Sequence, residues 1–129
     1  MGKILFVLGG ARSGKSRYAQ ARAAEAAGPG GRVAFVATAE GRDPEMRERI
    51  GRHRRDRPAS WTTVEAPRQA AEALRSVGPA ADAVLVDCLT LLVSNLMLEA
   101  REAPGAEQAV MAEVRDLLAA ARQARGPVI

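Results

Sequence analysis

The apolar run Ile4-Leu5-Phe6-Val7-Leu8 passes directly into Gly9-Gly10-Ala11-Arg12-Ser13-Gly14-Lys15-Ser16. A strand-forming segment that ends in glycines and continues into a lysine, a hydroxyl residue and helix-favouring alanines allows few local structures. Glycine lets the backbone curl so that several N–H groups point into one concavity. A helix starting near Lys15 adds the partial positive charge of its N-terminus. The series fits G-x-x-x-x-G-K-S. In that pattern the turn from Gly9 through Gly10, Ala11, Arg12 and Ser13 to Gly14 cradles phosphate oxygens. Lys15 then reaches the β- and γ-phosphates, and the Ser16 hydroxyl ligates Mg²⁺. Residue bias sharpens the reading. Of the 19 basic side chains only Lys3 and Lys15 are lysines, so a chain that otherwise uses arginine has a compact point charge where the loop needs one.

Beyond the loop, apolar runs alternate with helical patterns. Residues 3–8 read as a buried strand and 15–27 as a helix ended by Gly28-Pro29-Gly30-Gly31. Arg32 to Thr38 is a second strand-like run. Asp43-Pro44 opens a charged helix, with Asp43 as N-cap and Pro44 at the first helical position. Glu45–Arg49 and Glu48–Arg52 support it as i,i+4 pairs, and it runs to about Arg54 before Arg57-Pro58. Trp61 to Glu65 is β-prone, and Pro67 starts a helix to about Val77. Residues 83–87 form a third buried strand. Thr90 caps a helix through about Arg101, and a last helix spans Ala106 to Arg125. Nearly continuous apolar strands between helices predict an α/β fold with a mainly parallel sheet covered on both faces.

The 129 residues predict one domain with an aliphatic core, since aromatics make up 3% of the chain. A net charge of +4 favours anionic partners of nucleotide size rather than a nucleic acid. One cysteine, Cys88, excludes an intramolecular disulfide and suits a cytoplasmic setting. The apolar stretches are strand-length, so no membrane span is expected. Val128-Ile129 follow a helix stop and read as the start of a further strand, which suggests the front part of a longer protein.

Asp87 closes its aliphatic strand. There it reads either as a Mg²⁺ ligand, direct or through water, or as an ordinary strand-end acid. Thr38 and Ala39 end their strand at the same edge, where small side chains and backbone groups suit a nucleotide. His53 is the one histidine, within Arg52-His53-Arg54-Arg55-Asp56-Arg57. On spacing alone it is a solvated residue at a basic helix end. Yet residues 42–57 carry seven arginines against four acids. Guanidinium groups neutralise phosphate and favour a neutral imidazole, which is a competent nucleophile. Glu65 reads equally as a surface acid or as an acceptor for a ribose or guanine. Cys88 reads as a small buried hydrophobe.

The run Leu8 to Ala19 closely resembles the opening of the bifunctional adenosylcobinamide kinase / adenosylcobinamide-phosphate guanylyltransferase family. The likeness continues in register through Val36-Ala37-Thr38-Ala39, Glu45-Met46, Arg49-Ile50, His53-Arg54, Arg57-Pro58, Trp61-Thr62-Thr63 and Glu65. It goes on through Asp87-Cys88-Leu89-Thr90 and Val93-Ser94-Asn95-Leu96. The resemblance implies a P-loop NTPase fold of RecA-like type, a trimer and two reactions. In the first, ATP or GTP phosphorylates the aminopropanol hydroxyl of adenosylcobinamide. In the second, GTP guanylylates a histidine, which falls on His53, and GMP passes to adenosylcobinamide phosphate. The implied nucleotide contacts are Gly9 to Ser16, Ala37, Thr38, Ala39, Arg54, Arg55, Asp56, Arg57, Glu65 and Asp87, with Ser16 and Asp87 at Mg²⁺. The family continues beyond this point with further strands. Two other functions stay open from the residues themselves. One is a P-loop kinase of a small metabolite in which His53 is inert. The other is a nucleotide-binding module whose arginine helix holds nucleic acid, although Trp61 alone offers little stacking surface there.

Overall fold

A computed structural model of the protein describes residues 3–10, 13–41, 43–101 and 103–129, and within them every side chain except those of His53 and Asp56. Among these residues the order of elements is α1 (Lys15–Ala27), β1 (Val33–Ala37), α2 (Pro44–Asp56), β2 (Thr62–Glu65), α3 (Ala70–Val77), β3 (Ala83–Asp87), α4 (Leu89–Ala100) and α5 (Ala106–Gln123). The three strands form a parallel sheet in the order β2-β1-β3. Consecutive strands need crossovers to run parallel, and α2 and α3 supply them.

Alternate residues of each strand face opposite sides of the sheet. On one side Ala34, Val36 and Val84 pack with Leu74 of α3, Leu92 of α4 and Leu117 of α5. On the other, Val33, Phe35, Ala37, Ala83 and Leu85 meet Ala19 and Ala23 of α1. Both faces are thus covered at β1 and β3, which is why residues 33–37 and 83–86 are apolar at every position rather than at every second one. Phe35 is the one aromatic side chain in these two buried clusters; the rest is aliphatic, with many alanines that let helices approach closely.

Three elements differ from their sequence reading, in two ways. Residues 3–8, expected as a buried strand, make a single parallel bridge between Ile4 and Val128. The Leu5 amide donates to the Val128 carbonyl and the Val128 amide to the Lys3 carbonyl. Past Leu5 this segment has no ladder partner among the described residues, and Phe6 and Leu8 are exposed. A strand is defined by its neighbour, and here the neighbour is only Val128-Ile129, wedged between β3 and Ile4. The second difference concerns helix starts. Cys88, not Thr90, caps α4, its Sγ accepting from the Leu91 amide. Likewise α3 begins at Ala70 instead of Pro67; the Ala71 amide, which a helix from Pro67 would turn onto the Pro67 carbonyl, donates to the Glu113 carboxylate at 2.9 Å. The α2 start matches its reading, with the Asp43 carboxylate accepting from the Met46 amide at 2.7 Å and Pro44 in the first turn. No described helix is long and apolar enough to cross a membrane.

Leu74 is completely buried between α3, the sheet and α5. Replacing it with alanine removes methyl groups from the middle of this buried cluster. Leu74→Ala is expected to lower unfolding free energy by about 2–5 kcal/mol, measured by urea denaturation at unchanged m-value.

Candidate functional site

Parallel strands in register end on one edge. The Cα register pairs Ala37 with Glu65 on one side and with Asp87 on the other. Three positions singled out in the sequence, far apart along the chain, therefore form one row across the carboxyl edge of the sheet. Ligands of open α/β sheets bind outside this edge.

The loop lies at the same end of the molecule. Gly14 stands at the N-cap of α1 with φ +85°, a left-handed conformation that glycine adopts without strain. The Ser13 amide closes a turn onto the Gly10 carbonyl at 3.3 Å. At Gly9 a Cβ would lie 2.5 Å from the Ser13 Oγ, a contact that rotation of the Ser13 side chain relieves. The first turn of α1 has no side-chain cap and no acidic residue. Its N–H groups and the helix dipole are left to an external anion. Ala11 and Arg12, expected in this loop, lie outside the described residues.

Lys15, Ser16 and Asp87 line a single cleft of about 410 Å³, together with Cys88 and apolar residues of the 4–7 segment, α5 and Val128-Ile129. All three are half-buried. Ser16 and Asp87 offer a hydroxyl and a carboxylate, both hard oxygen donors that suit Mg²⁺ completed by phosphate and water. A second, smaller cleft of about 240 Å³ opens beside α2 and is lined by Ala39, Glu40, Gly41, Arg47, Ile50, Glu65 and Pro67. The expected nucleotide residues thus divide, with Lys15, Ser16 and Asp87 at the first cleft, Gly9, Ser13, Gly14 and again Lys15 at another of about 460 Å³, and Ala39 and Glu65 at the one beside α2.

Arg57 lines none of these clefts. Its guanidinium stacks on the Phe35 ring, 3.6 Å from the centroid, and donates to the Thr63 hydroxyl at 3.0 Å. Burial pushes this guanidinium below its usual pKa, and Arg54 pushes the same way, while Asp87 and Glu65 oppose them. Both carboxylates are therefore close enough for their fields to reach Arg57. Arg54 pairs with Glu65, so that expected acceptor is already held by a cation from α2. Arg55 is exposed. Position 53 lies in the last turns of α2, and the His53 and Asp56 side chains lie outside the described residues.

Thr38 differs from its expectation as a side chain facing ligand. It is completely buried, and its hydroxyl is engaged by the backbone of Cys88. Its place at the strand end stands, but its hydroxyl points into the protein. Asn95, quoted in the sequence only as part of a likeness, proves to be a buried polar residue. It donates to the Thr38 carbonyl at 2.8 Å and to the Pro67 carbonyl at 2.9 Å. The signal for it was present, because an asparagine on the apolar stretch Leu91-Leu92-Val93 to Leu96 must find partners once buried. Arg68, which pairs with both Glu40 and Glu99, gave no such signal.

Comparison with known proteins adds an independent finding. A family model described as cobinamide kinase / cobinamide phosphate guanyltransferase matches residues 5–129. A bifunctional adenosylcobalamin biosynthesis protein CobP from Pseudomonas aeruginosa is 52% identical over 92 residues, which is 71% of this chain and 51% of that protein. Bifunctional adenosylcobalamin biosynthesis proteins CobU from Escherichia coli and Salmonella typhimurium are each 34% identical over 134 residues, covering 98% of this chain and 72% of theirs. The match thus spans about half the length of the Pseudomonas protein.

At Gly14 any other residue must hold a left-handed backbone. Gly14→Ala is expected to cost about 1–2 kcal/mol of stability, read from chemical denaturation. An unchanged midpoint would mean that the loop relaxes out of that conformation.

Proposed function

The chain belongs to the cobinamide kinase / cobinamide phosphate guanyltransferase family, and from that premise we propose that it takes part in both reactions of a bifunctional adenosylcobinamide kinase and adenosylcobinamide-phosphate guanylyltransferase. The observation that carries the reading is the meeting of Lys15, Ser16 and Asp87 in one cleft at the carboxyl edge of a parallel sheet. A P-loop NTPase fold of RecA-like type accords with that arrangement.

In the phosphorylation step the loop from Gly9 to Ser16 binds the triphosphate of ATP or GTP. Backbone N–H groups and the N-terminus of α1 stabilise its anionic oxygens, and Lys15 neutralises charge between the β- and γ-phosphates. Ser16 and Asp87 would hold Mg²⁺, which would supply further neutralisation of the phosphate oxygens. The aminopropanol hydroxyl of adenosylcobinamide attacks the γ-phosphorus, the bond to the β-phosphate oxygen breaks, and the nucleoside diphosphate leaves.

In the second step His53 attacks the α-phosphorus of GTP. The bond to the bridging oxygen breaks, pyrophosphate leaves, and a P–N bond retains GMP on the imidazole. A phosphate oxygen of adenosylcobinamide phosphate then attacks the same phosphorus and frees the imidazole, giving adenosylcobinamide-GDP. Splitting the transfer into two displacements lets one group serve donor and acceptor in turn. Arg54, Arg55 and Arg57 offset the triphosphate charge as it redistributes. Ala37 and Ala39 contribute backbone at the strand end, and Asp56 and Glu65 contribute polar contacts to the nucleotide. A homotrimer belongs to the same reading. The exposed apolar side chains Met97, Leu98, Met111 and Leu118 give it surface to bury.

The test uses GTP labelled at the α-phosphate. Wild-type protein is expected to retain label in a bond that acid cleaves and base does not, and His53→Asn to retain none while still phosphorylating adenosylcobinamide. Lys15→Ala is expected to lower both reactions by about 10²-fold or more. Label that stays on the His53→Asn protein would overturn the choice of nucleophile. A full kinase rate in Lys15→Ala would overturn the loop's role.

A further inference from the structure

The polar network behind the sheet edge ties together residues that the chemistry described so far leaves without a task. The Thr38 hydroxyl accepts from the Cys88 amide at 2.7 Å and donates to the Cys88 carbonyl at 2.7 Å. The Thr38 amide donates to the Asp87 carbonyl at 3.1 Å. Three hydrogen bonds thus join one residue at the end of β1 to the step that follows β3. Thr38 is in turn pinned by Asn95 of α4, whose amide bridges the Thr38 and Pro67 carbonyls. Thr38 has no exposed surface and Asn95 is 5% exposed.

We propose that Thr38 and Asn95 are positioning residues, which hold the Asp87–Cys88 step against the end of β1 and so keep the Asp87 carboxylate in the cleft with Ser16. The inference rests on the reading of Asp87 as a Mg²⁺ ligand. A strand end is where ladder bonding stops and the backbone gains freedom, and Asp87 is the last residue of β3. Carboxylate placement there depends on what restrains the next peptide, and both backbone polar groups of that next residue, Cys88, are captured by one buried hydroxyl. Packing alone does not call for a hydroxyl, since valine has nearly the same shape and suits a buried strand end. Nor does an apolar helix face call for asparagine, whose amide here ties α4 to the ends of both β1 and the segment after β2. A fully satisfied network in a low-dielectric interior holds one geometry, and breaking a member leaves buried groups unpaired.

The test measures equilibrium binding of a GTP analogue carrying a fluorescent ribose substituent to the 129-residue chain, across a Mg²⁺ titration and in EDTA. Asp87→Asn is the reference. Thr38→Val is expected to raise the Mg²⁺ concentration for half-maximal binding about tenfold, the usual scale for loss of an outer partner of a metal ligand. Binding in EDTA is expected to stay at the wild-type value, and Thr38→Ser to bring the Mg²⁺ requirement back. If Asp87→Asn shifts the Mg²⁺ requirement while Thr38→Val only lowers the melting temperature, the positioning role is overturned and the reading of Asp87 stands. The same holds if Thr38→Ser fails to restore the requirement. If Asp87→Asn shifts nothing, the reading of Asp87 falls and takes this inference with it. Should Thr38→Val not fold, Asn95→Ala is judged by the same criterion.

Discussion

Everything at the proposed site depends on the parallel register of the three strands. Hydrogen bonding of β1 to both neighbours sets Glu65, Ala37 and Asp87 in one row. A slip of one residue would turn each strand's side chains to the opposite face and bury or withdraw the carboxylates. The slip is prevented by packing. Ala34 and Val36 must meet α3 and α5 while Val33, Phe35 and Ala37 meet α1, and each layer accepts only one of the two sets. The chemistry at the edge is therefore held in place by an aliphatic core that takes no part in it.

The charged elements attach to that core differently. Helix α1 is anchored by Ala19 and Ala23, small residues that bring its N-terminus close to the sheet. Helix α2 has no fully buried side chain among those described, and its last turns are tied down by arginines, with Arg54 on Glu65 and Arg57 on Phe35 and Thr63. A guanidinium stacked on an aromatic ring contributes about 0.5–2 kcal/mol, depending on its desolvation. The element that carries His53 is thus held by contacts an anionic ligand can compete for, whereas α1 is held by apolar packing.

Much of this was legible along the chain. Helix α1 starts at Lys15 because glycines cannot continue a helix backwards into the loop and alanines carry it forward. Asp43-Pro44 announces α2 through local physics alone, a carboxylate for an orphan amide and a proline with no amide to lose. The strands β1 and β3 announce themselves by unbroken apolar runs. Family membership was legible as well, since the ordered series from Leu8 to Leu96 carries far more information than the phosphate loop.

What the sequence determined by itself were features settled by neighbours a few residues apart: the start of α1 after Gly14, the Asp43 cap of α2 and the helix periods. The tertiary structure alone decided which distant groups share an environment. It separated the segment 4–8 from β3 by Val128-Ile129, because a strand needs a partner that only the folded chain supplies. It turned the Thr38 hydroxyl inward and moved the cap of α4 to Cys88, because the end of β1 and the end of β3 lie side by side only in the sheet. It gave Asn95 its partners for the same reason. Hydrogen bonds between residues about fifty positions apart leave no periodic trace in a sequence, since loop closure, not local propensity, brings their ends together.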